Sequence, residues 1–223
     1  MMEMNSMDKN IISIIQLLEN KYGIKTDMEW ERKRHSNFQI LIGTILSART
    51  KDENTDKASE QLFTRYPTAK KLSEAKISDI KKLIRPAGFY NVKAKRIKDT
   101  SKIILKKYCG KVPDNIDELV KLPGVGYKVA ACVMVYGFKF PDIPVDVHVA
   151  KVSKRIGLIK EKNPDKIRLE LMRKIPRKYW IIINGLFVKH GKSICLSRKP
   201  ICDICPINNL CNYYHDVFLT RKS

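Results

Sequence analysis

The apolar positions along the chain repeat with helical spacing almost throughout. Phe38, Leu41, Ile42, Ile45 and Leu46 recur at i, i+3, i+4, i+7 and i+8, one face of a helix. Between Asn91 and Lys107, Ala94, Ile97, Ile104 and Leu105 share one side, with Lys93, Lys95, Arg96, Lys98, Lys102 and Lys106 elsewhere. Further helices are predicted over 9–22, 53–65, 77–84, 114–121, 127–137, 147–156, 165–174 and 177–189. Breakers punctuate them at Pro67, Pro86-Ala87-Gly88, Pro113, Pro123-Gly124, Pro141, Pro144, Pro164, Pro176 and Pro200. No sustained period-2 run and no Asn-Gly hairpin signal occurs, so the expected fold class is all-α.

The chain has 223 residues, 43% hydrophobic and 30% charged, a globular balance long enough for one large domain or two small ones. Its longest apolar stretches, Ile11 to Leu18 and Tyr179 to Val188, are too short for a membrane span. The N-terminus lacks the basic-then-apolar pattern of a secretory leader, so an intracellular protein is expected. Lysine and arginine number 44 against 23 acidic residues, a formal charge of +21. That excess makes a polyanion, most economically nucleic acid, the expected partner. The alternative is lysine that merely solvates helix faces.

Cys109 and Cys132 lie in apolar, helical stretches, where a thiol is usually a small buried hydrophobe. Cys195, Cys202, Cys205 and Cys211 fall close together with the spacing C-x6-C-x2-C-x5-C. In a reducing compartment such a cluster reads as a metal site, two disulfides being the alternative. Spacing alone suits zinc and an iron–sulfur centre equally. The loop between the first two ligands carries Arg198 and Lys199, a candidate phosphate-binding segment pinned at both ends.

Asn115 to Phe138 reads as helix, turn, helix around Leu122-Pro123-Gly124-Val125-Gly126. The two glycines permit positive φ and close approach to another surface, and Val125 would anchor the turn in the core. N–H groups at the start of the second helix could hold phosphate oxygens, although a plain helical hairpin has the same pattern. Lys128 is the second residue of that helix, where the positive end of the helix dipole disfavours an ammonium. A lysine amine is a Schiff-base nucleophile, and a carboxylate nearby can stabilise positive charge developing on a sugar. Asp146, in Val145-Asp146-Val147-His148, supplies a carboxylate and also stands where the 147–156 helix needs an N-cap.

Taken in order, LPGVGYK, VDVHV and the four-cysteine spacing resemble the helix–hairpin–helix DNA glycosylases, specifically the endonuclease III family. LIGTILSARTKD resembles that family's first barrel helix and following loop, and AGFYNVKAKRI its Gly-hydrophobic-Tyr-Asn-x-Lys-Ala segment. The resemblance runs from about Phe38 to Cys211. It implies a six-helix barrel over 30–140 and a second domain made of 1–29 with 141–223, flanking a DNA-binding cleft. It also implies a largely structural [4Fe–4S] cluster on Cys195, Cys202, Cys205 and Cys211.

By the same resemblance, Leu122 to Gly126 grip the DNA backbone while the lesioned nucleotide is flipped out. Lys128 matches the nucleophile that attacks the anomeric carbon, displaces the base and forms the imine that permits β-elimination. Asp146 matches the acidic partner in base departure and proton transfer. Ser47, Asp52 and His148 match polar positions lining or flanking the cleft. Arg49 stands where the family often has a gap-filling glutamine, and Phe89 where a leucine wedge is common; these departures bear on substrate preference.

The implied activity is base-excision repair by a bifunctional glycosylase and AP lyase acting on oxidised pyrimidines and abasic sites in double-stranded DNA. Relatives without a lysine at the position of Lys128 are monofunctional, acting on mismatched uracil or thymine, or on adenine. A non-enzymatic, metal-stabilised nucleic-acid-binding protein is the reading from another class. The expected protein is a monomer without a membrane anchor, cytoplasmic or nucleoid-associated.

Overall fold

The computed structural model describes residues 6–23 and 35–221. Among them the helices are α1 (Ser6–Tyr22), α2 (Asn37–Ser47), α3 (Asp52–Arg65), α4 (Ala69–Glu74), α5 (Ile77–Leu83), α6 (Tyr90–Lys107), α7 (Ile116–Leu119), α8 (Tyr127–Tyr136), α9 (Val147–Arg155), α10 (Pro164–Lys174) and α11 (Trp180–Ser193). Short 3₁₀ and π turns follow α11, and the described residues include no strand. The all-α expectation holds. No described helix is long and apolar enough to cross a membrane.

The chain divides into two compact units, Glu29–Phe140, and Met1–Met28 with Pro141–Ser223. The divide expected near residues 29 and 30 lies outside the described residues.

In the first unit α2 is the central element, packed against α3, α6 and α8. A capping box starts it: Ser36 Oγ accepts from Gln39 N–H, and Gln39 Oε1 accepts from Ser36 N–H. Its apolar stripe is buried along its whole length, and each such Leu or Ile contributes about 1.5–3 kcal/mol. In the second unit α11 packs against α1 and α9, with Phe187, Ile183 and Leu186 fully buried. The buried Asp142 carboxylate takes a bidentate ion pair from Arg168 Nε at 2.6 Å and Nη2 at 2.8 Å, which fixes the start of this segment.

Four local expectations are corrected. The helix expected over 114–121 shrinks to Ile116–Leu119, because Asn115 takes the cap position and the chain turns at Leu122. Helix α4 was not expected; its six residues are too few to show a period, and Thr68 caps it. Lys93 is not on the solvent side of α6 but buried, its Nζ donating to Leu46 O at 2.6 Å, whereas Leu105 is exposed. Cys109 is exposed in a left-handed turn just past the end of α6, while Cys132 is buried as expected.

Candidate active site

The hairpin between α7 and α8 is held from beneath. Leu122 and Val125 are buried, Val125 at 6% exposure, and Val125 N–H donates to Leu122 O at 3.1 Å. Thr100 Oγ1 on α6 donates to Pro123 O at 3.0 Å. On α7, Glu118 accepts from Lys107 Nζ at 2.8 Å, Lys121 Nζ at 2.5 Å and Tyr108 Oη at 2.6 Å. Lys107 above all, then Lys121 and Tyr108, holds the Glu118 carboxyl down to about 2.

The two glycines differ. Gly124 has φ +83°, and a Cβ there would stand 2.9 Å from Arg96 Cδ. Gly126 does not take the expected positive φ: as N-cap of α8 it is extended, at φ −95°. A Cβ on Gly126 would meet no atom within 4 Å, so nothing inside the protein requires glycine there. Ala130 N–H donates to Gly126 O, and the N–H groups of the first helical turn have no partner within the helix. Lys128, exposed, is the second residue of that turn. Sequence reasoning passed over Arg96, whose stem lies against Gly124; its signal was the lysine-rich face of α6.

In the other unit Asp146 caps α9, as its position suggested. Its Oδ1 accepts from His148 N–H and Val149 N–H, both at 2.9 Å, so the cap leaves Oδ2 outside these bonds. The His148 ring lies on Gly191 of α11, where a Cβ would be 2.9 Å from Nδ1, and buried Nδ1 has no hydrogen-bond partner. Ser47 ends α2 with its hydroxyl donating to Thr44 O at 2.9 Å, and Asp52 opens α3. The two bracket the turn that carries Arg49. Arg49 and Phe89 come together: the guanidinium carbon lies 6.0 Å from the Phe89 ring centroid, and Phe89 is 62% exposed.

Cys195, Cys202, Cys205 and Cys211 line one cavity, together with Arg155, Ile156, His190, Ile194 and Ile207. Burial raises the thiols of Cys202 and Cys211, and pushes that of Cys205 up to about 11. Thiolates here therefore need a cationic partner of their own. All four cysteines border this one cavity, and four thiolates are the donor set of a [4Fe–4S] centre, so the residues present fit that group.

Sequence reasoning missed two residues around these cysteines. Arg155 Nη1 donates to Cys195 Sγ at 3.2 Å and Leu196 O at 2.7 Å, and its Nη2 to Ser197 O at 3.1 Å. His190, buried, places Nε2 3.7 Å from Cys205 Sγ and bonds Tyr22 Oη through Nδ1 at 2.9 Å. Burial holds its imidazole down at about 4, with Lys151 adding to the shift. The 196–201 loop is thus tied by Arg155, by Lys151 Nζ donating to Ser197 Oγ at 3.4 Å, and by Ile201 N–H donating to Ile194 O. Arg198 and Lys199 stand exposed on it.

Residues 42–177 match the HhH-GPD superfamily of base excision DNA repair proteins, and residues 195–211 match the iron–sulfur binding domain of endonuclease III. The chain is 44% identical to endonuclease III of Thermotoga maritima, over 82% of this chain and 85% of that protein. It is 38% identical to endonuclease III of Rickettsia felis, over 83% and 87%. Two solved structures of endonuclease III with DNA, at 30% identity each, are similar along nearly the whole chain. A trapped covalent intermediate gives a TM-score of 0.85, covering 99% of this chain and 100% of that one. A non-covalent complex gives 0.86, covering 97% and 100%.

Proposed function

This chain belongs to the HhH-GPD superfamily of base excision DNA repair proteins, in its endonuclease III family, and from that premise we propose that Lys128 and Asp146 carry its chemistry. The protein is a DNA glycosylase with AP-lyase activity, its partner is double-stranded DNA bearing damaged bases or abasic sites, and its cofactor is a [4Fe–4S] cluster. The preferred substrates are oxidised pyrimidines. The protein acts as a monomer in the cytoplasm, on the nucleoid. The unit Glu29–Phe140 is the helical barrel, and the other unit is the cluster domain.

The observation that supports the chemistry best is the placement of Lys128. It is an exposed amine on the first turn of α8, directly after a backbone turn with open space beside Gly126. Leu122 to Gly126 hold the strand through main-chain groups, which position it without reading sequence. Arg49 and Phe89 fill the space left by the flipped nucleotide. Lys128 Nζ, as the unprotonated amine, attacks C1′, and the C1′–N bond breaks with its electron pair leaving on the base. Asp146 stabilises the positive charge that develops on the sugar and assists proton transfer. The amine bound at C1′ opens to an imine; loss of a C2′ proton then expels the 3′ phosphate, and water releases Lys128. Ser47, Asp52 and His148 support the polar lining, and Arg198 and Lys199 add phosphate contacts. Cys195, Cys202, Cys205 and Cys211 hold the cluster, which when bound cross-links the C-terminal segment and supplies no chemistry at the sugar.

A duplex with one thymine glycol, labelled at the 5′ end of the damaged strand, tests this. Strand cleavage at the lesion without alkali is expected. Cleavage appearing only after alkali would reduce the activity to base release alone, and tight binding without base release would overturn the enzymatic reading.

A further inference from the structure

The turn that carries Arg49 and the turn that carries Phe89 are built against each other and tied from below. Thr50 Oγ1 accepts from Gly88 N–H at 3.1 Å and from Lys93 Nζ at 2.6 Å, and the same Nζ donates to Leu46 O at 2.6 Å. A Cβ on Gly88 would stand 2.9 Å from Arg49 O, so the two backbones are in touch and only glycine fits. Arg49 and Phe89 both take left-handed backbone conformations, φ 53° and 58°. That conformation is strained for non-glycine residues.

Lys93 is 4% exposed, and burial lowers its pKa from the ordinary lysine range. Methionine would fill the same space without burying an ammonium on two neutral acceptors. Two strained residues, one of them bearing the exposed Phe89 ring, are thus linked through Thr50 and Gly88 to a buried cation, a concentration of cost that packing alone does not need.

We propose that Lys93 and Thr50 are positioning residues that lock the two turns together, so that Arg49 and Phe89 act as one rigid wedge during nucleotide extrusion. This rests on the reading above, in which Arg49 and Phe89 fill the space of the flipped nucleotide. Neither Lys93 nor Thr50 touches the reacting atoms. Their effect falls on the step in which a stacked base leaves the duplex, which costs less where the base is already missing. Base release from a damaged nucleotide therefore depends on the clamp more than strand cleavage at a preformed abasic site does.

The test compares single-turnover rates of the full protein on two otherwise identical duplexes, one with thymine glycol and one with an abasic site. Thr50→Val removes the shared acceptor, Lys93→Met the shared donor, Phe89→Ala the wedge itself, and Thr50→Ser keeps the oxygen. Thr50→Val and Lys93→Met are each expected to lower the ratio of base release to abasic-site cleavage about tenfold, the scale of one hydrogen bond, and Phe89→Ala to lower it by at least as much. Thr50→Ser is expected to restore the wild-type ratio. A lowered ratio in Phe89→Ala but not in Thr50→Val or Lys93→Met would overturn the clamp and leave the wedge standing. An unchanged ratio in Phe89→Ala would overturn both. If Thr50→Val and Lys93→Met lose both activities equally, together with cooperative melting, the residues are only structural and the proposal falls. Wild-type protein inactive on both duplexes would instead refute the underlying enzymatic reading.

Discussion

Gly124 and Gly126 sit two residues apart in one turn, yet substitution by alanine should affect them in different ways. At Gly124 the backbone is left-handed, which costs an alanine about 1–2 kcal/mol. The new Cβ would also stand 2.9 Å from Arg96 Cδ, so the arginine stem must shift by a few tenths of an ångström. For a chain of this length, 1 kcal/mol moves Tm by about 2–4 °C, so Gly124→Ala should melt about 2–8 °C lower. At Gly126 φ is −95° and no atom lies within 4 Å of the new Cβ. In Gly126→Ala the stiffer unfolded chain gains about 0.4–1 kcal/mol, which the poorer capping by alanine at this N-cap offsets by about as much, so stability should change little. The new methyl group would then stand between the main-chain N–H groups and a phosphate. Calorimetry gives the first quantity, and fluorescence anisotropy with a duplex carrying an abasic-site analogue gives the second. Gly126→Ala should keep Tm near the wild-type value and weaken DNA binding at least severalfold. A Gly126→Ala protein that melts low, or that binds DNA as wild type does, would refute the reading of this turn as a backbone grip.

Asp146→Asn should keep Tm, because asparagine caps a helix as well as aspartate does, while base release slows by about 10²–10⁴-fold; equal loss of stability and rate would refute the catalytic role. Lys199→Ala should weaken binding to all sequences alike and lower the slope of log affinity against log salt by about one; an effect confined to one lesion would contradict a phosphate contact. Arg155→Met should speed loss of the cluster's visible absorbance in air, since Arg155 ties Cys195 and the following loop; an unchanged decay would refute that role. Glu118, held low chiefly by Lys107, should contribute its full stabilisation above the ordinary glutamate value and lose it only as pH falls toward about 2. A side-chain NMR titration with a midpoint near 4.5 would contradict the three hydrogen bonds.

Much of this was legible from residue order. The stripe Phe38 to Leu46 is the buried face of α2, and Asp146 stands at the cap its sequence neighbours required. Four cysteines at short spacing do come to line one cavity. What was hidden depends on contacts between distant segments. Lys93 reads as a solvent-facing lysine because periodicity reports only one helix, not the carbonyl of Leu46 and the hydroxyl of Thr50 that wait for it. Gly126 reads like Gly124, since residue type does not reveal φ or the empty space beside a Cβ. The left-handed backbone at Arg49 and Phe89 has no local signature, because arginine and phenylalanine are poor choices for it. Arg155 and His190 acquire their roles only when α9 and α11 pack side by side near the cysteines.

The central claim is that Lys128 forms a covalent bond with the sugar during turnover. Borohydride reduction of the protein on a duplex with a single thymine glycol tests it directly. The wild-type protein should be trapped as a covalent DNA adduct, and Lys128→Gln should give none while still binding the duplex. No adduct with wild type, or an equally strong one with Lys128→Gln, would contradict the account.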